Sequence, residues 1–277
     1  MQPAPSALQL TWSPPATAII AILGVPRLTI HDHELPLRSG GKSETLLCQM
    51  ALTHRKPVDR TTLLTALWPH EALDVAGNAL NTLTSDLNKK SRKVLHTHQS
   101  NGNQSGSANL ICHDQGSYRF NVEAGVGTDV EYFDRWYGEG LRRLRAGDTV
   151  SGVAYCQKAL ALYRGDIGGD SLTALLERER LRAARLDLLT ALADYYVEQA
   201  DWSGALEYLH YLLKIEPCRE DAHRQIMRCH VKLGRRDQAL RQFQLCTHIL
   251  QHEFAAPPEP ATVALFDQVR LDPGSIV

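Results

Sequence analysis

The chain has 277 residues, 43% of them hydrophobic and 22% charged, with 30 Lys+Arg set against 31 Asp+Glu. This size and balance suit two domains with their own cores and exclude a disordered or strongly polybasic chain. No apolar run reaches the roughly 18 residues of a membrane span, and no basic residue precedes the first apolar stretch as a secretory leader would need, so a cytoplasmic protein is expected. Cys48, Cys112, Cys156, Cys218, Cys229 and Cys246 form no C-x-x-C pair and read as reduced, buried thiols.

Residues 1–15 hold four prolines and read as a loose leader. Ala18–Leu23 and Arg27–His31 read as strands around Gly24 and Pro26. His31-Asp32-His33-Glu34 reads as a turn before Leu35-Pro36-Leu37, completing a small β-meander. A first helix is predicted from about Gly41, with Leu46, Leu47, Met50 and Ala51 at helical spacing. Pro57-Val58-Asp59 breaks it. Asp59 then caps a second helix with Leu63, Leu64, Ala66 and Leu67 inside and Trp68-Pro69 at its end. A third helix is predicted over Val75 to Val94, with the apolar stripe Ala76, Ala79, Leu80, Leu83 and Leu87. His96 to Ser107 is rich in Gly, Ser and Asn and reads as a flexible loop. Asn109–Cys112 and Tyr118–Val122 read as a hairpin around Asp114-Gln115-Gly116-Ser117. Between Gly24 and Glu123, 11 Lys+Arg stand against 9 Asp+Glu, a mild basic excess.

Beyond Gly125 the pattern is helical to Val269, with turns at Gly147, Gly165–Asp170, Asp201, Pro217 and Gly234. A shift of 34 residues places Val197 on Val231, Ala200 on Gly234, Ala205 on Ala239, Leu206 on Leu240, Leu209 on Phe243 and Ile215 on Ile249. That period is the tetratricopeptide helix pair, with small residues where two helices cross closely. A fainter copy lies upstream, where Gly152, Cys156 and Ala159 match Ala205, Leu209 and Leu212.

Strands, three helices, a hairpin and then helical repeats resemble the Streptomyces antibiotic regulatory protein family over about residues 18–270. The likeness is carried by Pro57-Val58-Asp59-Arg60 through Leu67-Trp68, Asn78-Ala79-Leu80, Tyr118-Arg119-Phe120, Val130 and Phe133, Ala159-Leu160-Ala161-Leu162-Tyr163-Arg164-Gly165, and Arg235–Leu240 with Phe243. The resemblance implies a mainly α chain. An OmpR-type winged helix-turn-helix (α+β) over 16–125 is followed by an all-α, tetratricopeptide-like bacterial transcriptional activator domain over 126–277. It further implies a transcription regulator whose third helix enters the major groove of double-stranded DNA and whose hairpin is the wing. Asn78, Asn81, Thr82 and Ser85 are then the residues facing bases. Lys56, Arg60, Lys89, Lys90, Arg92, Lys93 and Arg119 are the phosphate contacts. The repeats are expected to mediate homodimerisation, or contact with RNA polymerase, another regulator or a small-molecule effector. Tyr195, Tyr196, Trp202, Tyr208 and Tyr211 are candidate aromatics for that surface.

The chain departs from the family pattern at Asp86 and Asn88, where arginine is usual, and at a wing turn that carries Asp114. A second reading follows: an interaction or effector-sensing scaffold whose winged helix binds DNA weakly or not at all. Other chemistry falls short. Gly40-Gly41-Lys42-Ser43 lacks the first glycine of a phosphate-binding loop, Pro36 standing in its place. His31/His33 and His96/His98 lack further ligands at metal-site spacing. Neither G-x-S-x-G nor H-E-x-x-H occurs. No cofactor, metal or enzymatic activity is expected.

Overall fold

The computed structural model describes residues 16–31, 33–53, 56–98 and 109–276. The expected leader and most of the expected 96–107 loop lie outside them. The chain divides into two compact units. The first runs to Glu139 and includes Gln157–Arg182; the second joins Gly140–Cys156 to Ala183–Val277.

In the first unit, β1 (Ala18–Ala21), β2 (Arg27–Ile30) and β3 (His33–Leu35) form the expected antiparallel meander. Ala18, Ile20, Leu28 and Ile30 alternate inward and are essentially fully buried, as one covered sheet face requires. The turn is shorter than predicted, because His33 and Glu34 already belong to β3. β7 (Val126–Thr128) was not predicted as a strand. It pairs in parallel with β1, Ala18 opposite Val126, giving the order β3-β2-β1-β7.

Helices α1 (Lys42–Ala51), α2 (Arg60–Leu67) and α3 (Leu73–His98) follow the meander. Asp59 caps α2 as predicted, accepting the Thr62 N–H at 3.0 Å. Hydrogen bonds from the Thr62 side chain and backbone hold its carboxyl below the ordinary range. Leu63, Leu64 and Leu67 are buried, but Ala66 is exposed. The expected α3 stripe is inward, with Ala76, Leu80 and Leu87 buried and Ala79 and Leu83 partly so. α3 starts earlier than predicted and runs to His98, replacing the first residues of the expected loop.

The helix-breaking stretch at 57–59 also supplies a strand. β4 (Val58–Asp59) pairs with β6 (Ser117–Phe120), which pairs with β5 (Ile111–Asp114), so the sheet order is β4-β6-β5. The β5–β6 turn places Gln115 at φ 46° and Gly116 at φ 80°. Two successive positive φ values make the two-residue hairpin turn whose twist matches the strands.

Asp129 opens α4 (Asp129–Arg145) and is fully buried. Its carboxylate accepts the N–H groups of Ile22 (2.9 and 3.0 Å) and Leu23 (2.9 Å) at the end of β1, with Arg164 3.9 Å away. Burial pushes the carboxyl up to about 6, against the pull of those N–H groups and of Arg164. The first compact unit therefore passes the expected boundary at 125/126: β7, the start of α4 and Gln157–Arg182 belong to it.

The remaining elements are α5 (Thr149–Leu162), α6 (Leu172–Glu198), α7 (Trp202–Ile215), α8 (Glu220–Lys232), α9 (Arg236–Phe254) and α10 (Pro260–Leu271). The turns after α4, α6 and α8 share one backbone device. Gly147, Ala200 and Gly234 all sit at positive φ (81°, 55° and 72°). The next N–H in each case reaches back to the first helix: Asp148 to Arg143 O, Asp201 to Tyr196 O and Arg235 to His230 O, at 3.0, 2.9 and 2.8 Å. This is the Schellman closure of a helix end. Five residues further on, Gly152, Ala205 and Ala239 are all buried, as are Cys156 and Leu209 in the next shared position. A Cβ on Gly152 would lie 2.7 Å from the Leu144 side chain. The faint upstream copy thus has the same geometry as the two clear ones. Met227, Ala239, Leu265, Val269 and Ile276 close the core at the C-terminal end.

Among the candidate aromatics, Tyr208 is buried and stacks on Tyr196 at 5.4 Å, so this pair packs the repeat. Tyr195, Trp202 and Tyr211 are half-buried. All six cysteines are free thiols; Cys156, Cys229 and Cys246 are buried, while Cys48, Cys112 and Cys218 are only partly covered. Lys42 of the incomplete phosphate-loop pattern donates to Leu67 O and lies over the Trp68 ring at 5.7 Å, so it caps the end of α2.

Candidate nucleic-acid interface

The apolar stripe of α3 sets its opposite face toward solvent. Asn78, Asn81, Thr82, Ser85, Lys89, Lys90, Arg92 and Lys93 are all exposed, at the three- and four-residue spacings of one helix side. The first half of this face is neutral and hydrogen-bonding, and the last two turns are basic. Asp86 is exposed between the two halves. Thr82 is turned back, its hydroxyl donating to Asn78 O at 3.0 Å. The Arg92 Nε donates to Asn88 O at 3.3 Å, at the edge of hydrogen-bond range.

Arg60 stands apart from the other expected phosphate contacts. It is partly buried. Its guanidinium donates to Asn81 Oδ1 (2.9 Å), the Tyr118 hydroxyl (2.7 Å) and Gly77 O (2.8 Å). One side chain on α2 therefore ties α3 and β6 together. Gly77 makes this possible, since a Cβ there would fall 2.8 Å from a guanidinium nitrogen. The Arg60 backbone N–H donates to Gly116 O at the hairpin turn (2.9 Å).

Asn88 is likewise a structural clamp. Its amide donates to Ile111 O and accepts from Ile111 N, both at 2.9 Å, pairing α3 with β5 as a neighbouring strand would. Asn88 thus holds the hairpin against the helix. Lys56 precedes β4 and Arg119 lies on β6; both are exposed. The hairpin turn itself is short, and exposed Asp114 ends the strand that enters it. The structure brings the α3 residues onto one face, with Arg119 on the adjacent sheet, and takes Arg60 into the scaffold.

Sequence reasoning missed the roles of Gly77, Asn88, Tyr118 and Asp129. The alternation of Tyr118-Arg119-Phe120 is the signal that could have pointed Tyr118 inward, where the structure buries it, and Arg119 outward. The partners of the other three lie 17 to 107 residues away along the chain, out of reach of any local pattern.

The model of the bacterial transcriptional activator domain matches residues 128–270, just over half of the chain. The chain belongs to the bacterial transcriptional activator domain family. As a member it is a regulator of the Streptomyces antibiotic regulatory protein type. Transcriptional regulatory protein MoaR1 of Mycobacterium tuberculosis is 22% identical over 253 residues, which cover 90% of this chain and 78% of MoaR1. Regulatory protein AfsR of Streptomyces coelicolor is 24% identical over 240 residues, covering 86% of this chain and 23% of AfsR. Mycobacterium tuberculosis EmbR, solved in complex with a low affinity phosphopeptide, shares the fold at a TM-score of 0.66 and 20% identity, over 92% of this chain and 65% of the EmbR chain. The family match begins two residues into β7, so the bacterial transcriptional activator domain as a sequence unit starts inside the first compact unit. Among the described residues no helix is long and apolar enough to cross a membrane.

Proposed function

We propose that this regulator acts in the cytoplasm by laying the exposed face of α3 in the major groove of promoter DNA. Asn78, Asn81 and Ser85 face base edges, and Lys89, Lys90, Arg92 and Lys93 face phosphates. The observation that carries this reading is the single exposed face on which a neutral hydrogen-bonding half passes into a basic half, on a helix braced by Arg60 and Asn88. The repeats supply the contact with a second copy, RNA polymerase, another regulator or an effector. We read the chain as a regulator and not an enzyme.

The test is binding of the purified full chain to DNA upstream of its own gene, measured by fluorescence anisotropy across a salt series with non-specific competitor. A competitor-resistant complex whose affinity falls with salt is expected. A double Lys89→Ala/Lys90→Ala change should weaken binding to all sequences and lower the salt slope by roughly 2, since each lost phosphate contact removes about 0.9. Asp86→Lys should tighten binding at low salt. No discrimination against competitor at any salt would favour the scaffold reading, which the internal use of Arg60 and Asn88 and the acidic Asp86 and Asp114 support.

A further inference from the structure

A polar cavity of about 450 Å³ opens among α6, α7 and α8, within the second compact unit. That size is in the range of small-molecule sites. Most of the charges lining it are matched locally. Arg219 forms a two-pronged pair with Asp221 and reaches the Thr190 hydroxyl. Arg224 pairs with Glu259 at 2.8 Å and donates to Thr262.

Two lining groups form no ion pair among the described residues: Arg228 on α8 and Asp194 on α6. Arg228 is half-buried and donates to the Gln225 side-chain oxygen at 3.0 Å. This leaves the Gln225 amide N–H₂ to act as a further donor. Burial, with Arg224 one turn away, pulls its guanidinium below the ordinary range. Asp194 is pushed the other way by partial desolvation at the cavity wall and by Glu198 and Asp221, against the pull of Arg219. Neither group has a counter-charge within ion-pair distance among the described residues. Two charges of opposite sign in the wall of one cavity do not suit a polyanion, which Asp194 and Asp221 would repel.

We propose that this cavity binds a small zwitterion of the amino-acid type, its carboxylate held by Arg228 and Gln225 and its ammonium by Asp194. The proposal rests on reading the repeats as the effector-contact surface and is independent of DNA binding.

The test is thermal shift and calorimetric titration of the full chain with each of the twenty L-α-amino acids at up to roughly 10 mM, where a weak ligand still raises the unfolding midpoint. At least one is expected to bind, and its N-acetyl and carboxamide derivatives to fail. Arg228→Gln and Asp194→Asn should each weaken binding about tenfold or more, the worth of one charge-assisted hydrogen bond. Asp194 is exposed, so Asp194→Asn should keep the unliganded midpoint and serve if Arg228→Gln does not fold. The proposal is overturned if no amino acid binds, if the N-acetyl derivative binds as well as its parent, or if Asp194→Asn binds like the unaltered chain. Any of these with a DNA shift intact removes the zwitterion site alone; a lost DNA shift with amino-acid binding intact removes the other reading.

Discussion

The Arg60 guanidinium meets three acceptors on two other elements, and this changes what each partner can offer DNA. Asn81 Oδ1 is taken by Arg60, so Asn81 presents only its N–H₂ donors outward. The two-pronged contact by which asparagine reads adenine needs both the donor and the acceptor. Asn78, one turn earlier and exposed, keeps both. Arg60→Lys retains the charge but not the planar fork that serves three acceptors. It should cost about 1–3 kcal/mol of stability in urea unfolding while leaving the salt slope of DNA binding unchanged. A lower slope with unaltered stability would make Arg60 a phosphate contact after all. Asp59 shows the opposite case. Its capping role was legible because the cap and the N–H it receives are three residues apart.

Between elements, the three Schellman turns define the repeat better than the side chains do. Two hold glycine at the left-handed position, but the middle one holds Ala200 at φ 55°. An L-residue there carries roughly 1–2 kcal/mol of steric cost, partly offset by glycine's greater freedom when unfolded. Ala200→Gly should therefore raise the unfolding midpoint by the equivalent of about 0.5–1 kcal/mol, and Gly234→Ala should lower it by a similar amount. Calorimetry of the two variants gives opposite signs if the turns are equivalent. The 34-residue shift exposed the last two copies because their spacing is regular. The upstream copy has drifted in side chains, and only its backbone turn and the burial of Gly152 and Cys156 establish it.

For the molecule as a whole, the boundary at residue 125 that the onset of helical pattern and the family resemblance suggest cuts through a compact unit. A fragment of residues 16–125 loses β7 from the edge of β1 and the Asp129 carboxylate from the Ile22 and Leu23 N–H groups. Stranding those buried donors costs about 1–3 kcal/mol each. The fragment should melt well below the full chain, and circular dichroism on both would detect it; equal midpoints would make the 125/126 division correct.

Stability should also respond to acid. His223 is fully buried, its Nε2 2.8 Å from Pro217 O and its Nδ1 2.7 Å from the Gln242 amide. Burial lowers its proton affinity, and that of His230, below the ordinary value. Between the folded values and the roughly 6.5 of an unfolded histidine, the unfolded chain holds more protons. Stability is then complete above about pH 6.5 and falls as the pH drops through that window. Asp129 opposes this, because a carboxyl raised to about 6 from 3.8 gains stability as it is protonated. A net fall in midpoint from pH 7 to 5.5, flattened in His223→Gln, is expected by differential scanning fluorimetry.

The sequence by itself determined the order of elements, the Asp59 cap, the inward stripe of α3 and the repeat period. Each depends on residues within one or a few turns of one another. Only the tertiary structure decided that Arg60 and Asn88 serve the scaffold, that the first unit extends past residue 125, and that Arg228 and Asp194 line one cavity. Those facts turn on partners from 17 to more than 100 residues away. Local periodicity shows which face of a helix is polar, but the polar atoms left free on that face depend on what packs beside it.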